Sequence, residues 1–152
     1  MCTPHATVAT AKPTPRQTAD AATAAFNAHD VSAVAALYHP DVVLVTPDAG
    51  ELKGREQAAE YQRAFMQGFP DGKVETVAMH DAGNTTIDEW VFHGTNTGAL
   101  PLPSGETLPA TRKRISLRGI DVAVHKGSAI AAHRVYFDQV ELLTQLGLMP
   151  EA

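Results

Sequence analysis

The pattern of apolar and polar positions divides the chain into a helical first part and a strand-rich second part. The alanine-rich residues 18–28 place apolar side chains at helical spacing, and Asp30 is suited to cap a second, short helix over residues 31–38. Residues 42–46 are β-branched and apolar, which is typical of a strand. An amphipathic third helix follows Gly54. The first part therefore predicts three helices and one strand.

Beyond residue 72, short apolar runs alternate with Gly, Pro and Asn, which predicts strands at residues 73–80 and 85–97. A proline-rich loop at residues 100–109 precedes two more strands, and a short helix follows. Short loops favour antiparallel pairing, and helices followed by a meander of strands indicate an α+β fold. We expect a curved, mostly antiparallel sheet wrapped over the three helices, enclosing a pocket.

The last two predicted strands and the short helix hold the densest group of possible acid–base residues, within residues 118–147. The group consists of Arg118, Asp121, His133 and Asp138. We expect any chemistry of the protein to converge on this segment.

The alternation of side chains in the first of these strands favours a β-bulge at Gly119. Without a bulge, Asp121 would lie in line with Ile115 and Leu117, which would place a charge in an apolar row. With the bulge, one face carries Arg118 and Asp121. The other face is then formed by Ile115, Leu117, Ile120, Val122 and Val124. We expect this apolar outer face to be covered by self-association.

Each candidate residue has two interpretations. Asp121 is either a carboxyl group whose pKa is shifted by an apolar cavity or the partner of Arg118 in an ion pair. His133 is either an acid–base group or a core histidine with satisfied hydrogen bonds. Asp138, followed by Glu141, has the spacing of a helix capping box, which competes with a catalytic role. Arg118 either anchors a substrate oxygen or forms a surface salt bridge.

Aromatic residues in several elements are candidates for the wall of a pocket. Trp90 and Phe92 share one face of a predicted strand, and Tyr38, Phe65 and Tyr136 are expected to join them. The same residues would equally form an ordinary hydrophobic core.

Length and charge restrict the possible functions. At 152 residues, with a net charge of −5 when histidines are neutral, the chain is expected to be one domain over residues 17–149 that does not bind nucleic acid. Residues 1–16 are interpreted as a flexible tail without a signal peptide. The sequence contains no run of about 20 apolar residues, so no membrane span is predicted. With Cys2 as the single cysteine, a cytoplasmic location fits.

Metal and nucleotide cofactors are not expected. The seven histidines show no close spacing typical of metal ligands, and they have no cysteine companion. The sequence also contains no phosphate-binding loop, dinucleotide fingerprint or serine-nucleophile motif.

Three segments resemble the SnoaL-like polyketide cyclase family, which belongs to the superfamily of nuclear-transport-factor-like folds. They are FNAHDVSAVAALYHPDVVLVTP at residues 26–47, GTNTG at residues 94–98 with the following LPLPSGE, and HRVYFDQVELLTQLG at residues 133–147. The resemblance covers about residues 17–149 and implies a conical α+β barrel with an apolar cavity, usually assembled as a homodimer or higher oligomer. It also implies intramolecular aldol ring closure of polyketide esters, without a cofactor, by a single carboxylate.

The chain departs from this family at the expected catalytic position. His133 and Arg134 match a His-Arg pair of the cyclases, but Val135 stands where the resemblance places the catalytic aspartate. Asp138 matches a second aspartate. Val135 is therefore counted with the aromatic residues as a substrate contact.

Two functions remain open from the sequence. The first is a cofactor-independent enzyme that abstracts a proton next to a carbonyl group of an apolar small molecule. In that hypothesis, His133 or Asp121 moves the proton and Arg118 or a cavity hydrogen bond stabilises the enolate. The second is a binding module for small hydrophobic ligands that has lost the chemistry, which Val135 suggests.

Overall fold

A mixed sheet packed against helices forms the structure, a computed structural model that describes residues 11–149. The helices are α1 (Pro15–Asn27), α2 (Val31–Leu37), α3 (Arg55–Gly68) and α4 (Gln139–Gln145). The strands are β1 (Tyr38–Thr46), β2 (Gly50–Lys53), β3 (Lys73–Ala82), β4 (Thr85–Thr95), β5 (Leu100–Pro101), β6 (Thr107–Leu108), β7 (Arg114–Lys126) and β8 (Ala129–Phe137).

The main sheet has six strands in the order β2-β1-β8-β7-β4-β3, and β5 pairs with β6 in a separate small hairpin. Neighbouring strands are antiparallel except for β1 and β8, which run parallel. The sheet is curved and open, with α1, α2 and α3 against it. The predicted α+β fold of conical-barrel type is thus confirmed, including its three N-terminal helices.

Local sequence signals explain where the helices begin. Thr14 and Gln17 form a reciprocal capping box before α1, and Pro15 occupies the first turn. The Asp30 carboxylate accepts a hydrogen bond from the Ala33 amide at the start of α2, as predicted. Most of the predicted tail, residues 1–10, lies outside the described residues, but α1 begins inside its predicted end.

The GTNTG segment that contributes to the family resemblance has a structural role. Asn96 is buried, and its side-chain amide donates hydrogen bonds to the carbonyl oxygens of Gly68 and Gly98. Its side-chain oxygen accepts from both the amide and the hydroxyl of Thr111. The segment therefore ties the end of β4 to the end of α3.

The predicted bulge at Gly119 is wrong. The pairing of β4 with β7 runs without interruption from Thr85 opposite Val124 to Thr95 opposite Arg114, with Trp90 opposite Gly119. A Cβ atom at Gly119 would overlap the Trp90 ring, so the glycine is needed for a close side-chain approach. An irregularity occurs instead in the pairing of β7 with β8, where Val124 pairs with Ala132 and His125 with Ile130, so that Ala131 of β8 is the extra residue.

The uninterrupted register reverses the predicted faces of β7. Ile115 and Leu117 are almost fully buried, whereas Ile120 lies on the outer face with 40% of its surface exposed. Asp121 shares the inner face with Ile115 and Leu117, and Arg118 points outward and is exposed. The predicted apolar outer face is therefore reduced to Ile120, Val122 and Val124.

No helix among residues 11–149 has the length and apolar character that crossing a membrane requires.

We predict that Gly119→Ala destabilises the protein by about 1–3 kcal/mol, because the added methyl group forces the Trp90 ring out of its packed position. Urea unfolding followed by tryptophan fluorescence measures the change. Arg118→Ala is the matched control, because the neighbouring side chain is exposed on the other face and should change stability by less than about 0.5 kcal/mol. Equal stability of Gly119→Ala and the wild type would contradict the packing role of the glycine.

Candidate functional site

A chain of hydrogen-bonding groups crosses the interior from α3 to β7. The Gln62 amide nitrogen donates to the Tyr38 hydroxyl oxygen at 3.2 Å, and that hydroxyl lies 2.8 Å from Nδ1 of His133. The opposite ring nitrogen, Nε2, is 3.3 Å from Oδ2 of Asp121. Tyr38 and His133 are both buried. The four side chains therefore form one connected network.

The donors and acceptors in this network are consistent with a Tyr38 hydroxyl that donates to His133. Burial raises the pKa of Tyr38 well above its usual value, although the hydrogen bond from Gln62 opposes the shift, so the hydroxyl keeps its proton. Because its oxygen already accepts from Gln62, the hydroxyl is free to donate to Nδ1 of His133. When Nδ1 accepts from Tyr38, the ring hydrogen is on Nε2, which faces Oδ2 of Asp121 at 3.3 Å.

The second oxygen of Asp121 has no such partner. Oδ1 is buried and makes no hydrogen bond to any residue between 11 and 149, although part of the side chain is exposed. A carboxylate oriented through one oxygen by His133, with its other oxygen free, is able to accept a proton from a bound molecule.

A second carboxyl group, that of Asp88, lies directly opposite Asp121 on the adjacent strand β4. Only 7% of Asp88 is exposed, and its Oδ1 makes no hydrogen bond within the described part of the chain. Burial and, secondly, the negative charge of Asp121 raise the pKa of Asp88 to about 6. Asp88 is therefore protonated over part of the pH range in which ordinary carboxyl groups are ionised.

Two adjoining spaces surround this carboxyl pair, and we call them together the inner chamber. One, of about 80 Å³, is lined by Asp88, Asp121, Tyr38 and His133. The other, of about 60 Å³, is lined by Asp121 and by apolar and aromatic side chains. Those side chains are Phe26, Tyr61, Phe65, Trp90, Phe92, Leu117, Val135 and Phe137. The chamber thus combines two carboxyl groups with an apolar wall.

An apolar groove of about 470 Å³ lies outside the inner chamber, between α3, α4 and the β5–β6 hairpin. Its lining is rich in leucine and includes Leu52, Leu100, Leu102, Leu108, Leu142, Leu143 and Leu146. Tyr61 and Phe65 line both the groove and the chamber. Asp48 fixes Tyr61 by accepting its hydroxyl hydrogen bond at 2.8 Å. These two aromatic residues therefore separate the groove from the carboxyl pair.

Trp90 lines the inner chamber and carries a hydrogen-bond donor that has no partner among residues 11–149. Its Nε1–H group is buried and has no acceptor among the described residues. A buried indole nitrogen usually finds a partner, so an oxygen atom of a bound molecule is the natural acceptor here.

Six of the nine residues selected from the sequence line the chamber or the groove. They are Asp121, His133, Tyr38, Phe65, Trp90 and Val135.

The other three point away from both spaces, which corrects their proposed roles. Arg118 is exposed on the outer face of β7 and forms no ion pair with Asp121, and Tyr136 is 54% exposed on β8. Asp138 is exposed and caps α4 by accepting from the Glu141 amide.

Sequence reasoning missed Asp88 and Gln62. The alternation that places Trp90 and Phe92 on one face of β4 also places Asp88 there, two residues earlier, and this signal was available. Gln62 offers no comparable signal, because its contact with Tyr38 depends on how α3 packs against β1.

We predict that Asp88→Asn stabilises the protein at pH 8 by up to about 3 kcal/mol, the equivalent of a two-unit pKa shift. Because burial raises the pKa of Asp88 to about 6, the wild type loses stability as rising pH ionises this group. The gain from the substitution should shrink as the pH falls through 6 towards 4. Urea unfolding at several pH values measures it, with the exposed Glu89→Gln as control. A pH-independent difference would contradict the shifted pKa.

Comparisons with known proteins agree with the architecture. No curated protein matches the chain. AclR of Streptomyces galilaeus, described as a candidate hydroxylase, superposes with a TM-score of 0.73 at 18% identity, covering 91% of this chain and 87% of AclR. IdmH of Streptomyces antibioticus, described as a candidate polyketide cyclase, gives a TM-score of 0.71 at 24% identity, covering 88% of this chain and 98% of IdmH.

A structure from Jannaschia sp. CCS1, described as a candidate SnoaL-like polyketide cyclase, gives a TM-score of 0.74 at 14% identity, with 92% of this chain and 98% of that chain covered. At these identities the structural matches show the shared fold. The model of the SnoaL-like domain matches residues 19–133, which is more than half of the chain. The chain therefore belongs to the SnoaL-like domain family, as its resemblance predicted.

Proposed function

We propose that the protein is a cofactor-independent acid–base enzyme that removes a proton next to the carbonyl group of an apolar small molecule, with Asp121 as the base. The observation that carries the proposal is the arrangement of Asp121. Its Oδ2 is oriented by His133, and its Oδ1 is buried beside the inner chamber with no partner among residues 11–149.

Orientation of the base contributes directly to the rate. His133 is itself held by the hydroxyl of Tyr38, and Tyr38 by Gln62, so the carboxylate is fixed before the substrate arrives. A base positioned by the fold needs little reorganisation in the transition state. His133 is in this proposal a positioning residue, because Asp121 stands between it and the reacting carbon.

Trp90 is the group suited to stabilise the charge that develops on the substrate oxygen. Its Nε1–H donor borders the same space as Asp121 and has no acceptor in the described part of the chain. A hydrogen bond that strengthens as the enolate forms lowers the barrier for proton removal. This role replaces the one predicted for Arg118, whose side chain lies on the other face of β7.

The groove supports an apolar substrate larger than the inner chamber. Its volume of about 470 Å³ falls within the usual range for small-molecule sites, whereas the spaces next to Asp121 measure about 80 and 60 Å³. In the proposed complex the apolar body occupies the groove, and the carbonyl end reaches the carboxyl pair past Tyr61 and Phe65. The structural likeness to IdmH, described as a candidate polyketide cyclase, supports a carbonyl substrate of this kind.

A second candidate function is a binding module for small hydrophobic ligands. The separation of the groove from Asp121 by Tyr61 and Phe65 favours it, because a ligand can fill the groove without contacting either carboxyl group.

We predict that the protein accelerates hydrogen–deuterium exchange at the carbon next to the carbonyl of 1-indanone, a compact apolar ketone, in D₂O. Proton NMR measures the exchange rate. Asp121→Asn should reduce the accelerated rate by about 100-fold or more, because the amide cannot act as a base. Glu89→Gln, which alters an exposed carboxylate on the outer face of β4, should retain the rate.

The same measurements separate the two functions. Exchange that is no faster than in buffer, together with saturable binding of 1-indanone, would contradict the catalytic proposal and support the module. Ala64→Trp fills the groove without altering either carboxyl group, so loss of binding in this variant would locate the ligand there.

We also propose that the protein self-associates through the outer face of the sheet. Ile120 and Tyr136 are 40% and 54% exposed there, beside the outward-facing Val122 and Val124. The family resemblance makes a second copy of the chain the expected partner. Sedimentation velocity at micromolar concentration should show a dimer that Ile120→Lys weakens. A monomer in both cases would contradict the proposal.

A further inference from the structure

We infer that Asp88 is a second catalytic residue, which shares one proton with Asp121 and protonates the substrate oxyanion that forms when Asp121 removes a proton from carbon. The inference rests on the proposed function and deepens it. It predicts substrates whose reaction creates a basic oxygen, either an enolate or the alkoxide of an aldol addition.

The register of β4 and β7 brings the two carboxyl groups together. Asp88 and Asp121 are directly opposite each other on the antiparallel strands, and both side chains line the same space of the inner chamber. Directly opposed residues of an antiparallel pair have Cβ atoms about 4.5–5.5 Å apart. The two groups are therefore close enough to exchange a proton directly or through one bound molecule.

The hydrogen-bond inventory calls for a proton between them. Oδ1 of Asp88 and Oδ1 of Asp121 are both buried, and neither has a partner among the described residues. Two carboxylates at opposed positions repel each other, and each leaves one buried oxygen as a costly unpaired acceptor. A single proton relieves both effects, since the protonated group becomes a donor and only one charge remains.

The surroundings decide which group carries this proton. Oδ2 of Asp121 lies 3.3 Å from Nε2 of His133, and 30% of the Asp121 side chain is exposed. Among residues 11–149, the groups that act on the pKa of Asp88 are Asp121 from β7, Asp20 and Thr23 from α1, and Thr76 from β3. His133 from β8 lines the same space. Burial raises the pKa of Asp88 to about 6, and the hydroxyl groups of Thr76 and Thr23 offset only part of the rise. Asp88 is accordingly the acid and Asp121 the base.

The proton balance closes without any co-reactant. Asp121 takes the proton from the carbon, the electron pair of the broken C–H bond forms a carbon–carbon double bond, and the π pair of the carbonyl group moves to its oxygen. The O–H bond of Asp88 breaks as its proton passes to that oxygen, which leaves Asp88 ionised and Asp121 protonated. Transfer of the proton from Asp121 back to Asp88 restores the starting pair. An enolate or alkoxide oxygen is far more basic than a carboxylate, so the step from Asp88 is favourable.

The pair is also difficult to explain as a structural feature. A buried carboxyl group such as Asp88 weakens a fold, and the partly buried carboxyl group of Asp121 at the opposed position weakens it further. Perturbed carboxyl groups of this kind are concentrated at functional sites, where stability is lost in exchange for reactivity.

The pH dependence of 1-indanone exchange tests the role of Asp88. In the wild type the accelerated rate should fall as the pH rises above about 6, because Asp88 loses the proton that it must donate. Asp88→Asn should lower the rate by about 100-fold and abolish this alkaline decline. Glu89→Gln should keep both the rate and the decline. A decline that persists in Asp88→Asn would overturn the inference.

Carbon-13 NMR of labelled aspartate side chains distinguishes the loss of a catalytic group from a loss of activity by misfolding. The Asp88 carboxyl should titrate near pH 6 in the wild type and at lower pH in Asp121→Asn, which removes the neighbouring charge. An unchanged midpoint would show that the two groups are not coupled and would overturn the inference of a shared proton.

If Asp121→Asn abolishes exchange but Asp88→Asn does not, only this inference fails. If the wild type does not exchange 1-indanone, the proposed function fails and the inference with it.

Discussion

The close contact between Gly119 and the Trp90 ring determines how the site is built. Because Gly119 has no side chain, β7 passes Trp90 without a bulge and keeps its register with β4 over the whole paired length. That register turns Asp121 inward and places it opposite Asp88. A one-residue slip at this point would turn the carboxyl group to the outer face. A packing constraint in the core thus sets the position of the proposed base.

In the inner chamber, one set of polar groups has partners within the protein and a second set has none among residues 11–149. Gln62, Tyr38 and His133 are linked by hydrogen bonds, and Oδ2 of Asp121 lies 3.3 Å from His133. Oδ1 of Asp121, Oδ1 of Asp88 and Nε1 of Trp90 are left without partners among residues 11–149. A satisfied network rigidifies its members, whereas unpaired groups beside a cavity are available to a ligand. The division between the two sets outlines where a substrate would bind.

Much of the fold could be predicted from the sequence, because helix caps and alternation are local signals. Asp30 marked the start of α2, and the change of period after residue 72 marked the strands.

The site was harder to predict from the sequence than the fold. The bulge was inferred because a charge in an apolar row is unfavourable, and Asp121 breaks that rule. Residues that break the usual sequence patterns are concentrated at functional sites. The prediction of a bulge therefore failed at the position where chemistry is proposed. The contact of Tyr38 with His133 spans 95 positions and requires the parallel pairing of β1 with β8, which no local pattern reveals.

Val135 bears on whether this member of the family has lost its chemistry. The resemblance places the catalytic aspartate of the cyclases at Val135 on β8, and the structure pairs Val135 directly with Asp121 on β7. Side chains at directly opposed positions share one face, so a carboxylate on β7 reaches the same region of the chamber as one on β8 would. Val135 and Asp121 both line the smaller space beside Trp90. In the proposed function, a valine at this position therefore does not leave the chamber without a base, because Asp121 on the adjacent strand takes that role beside His133.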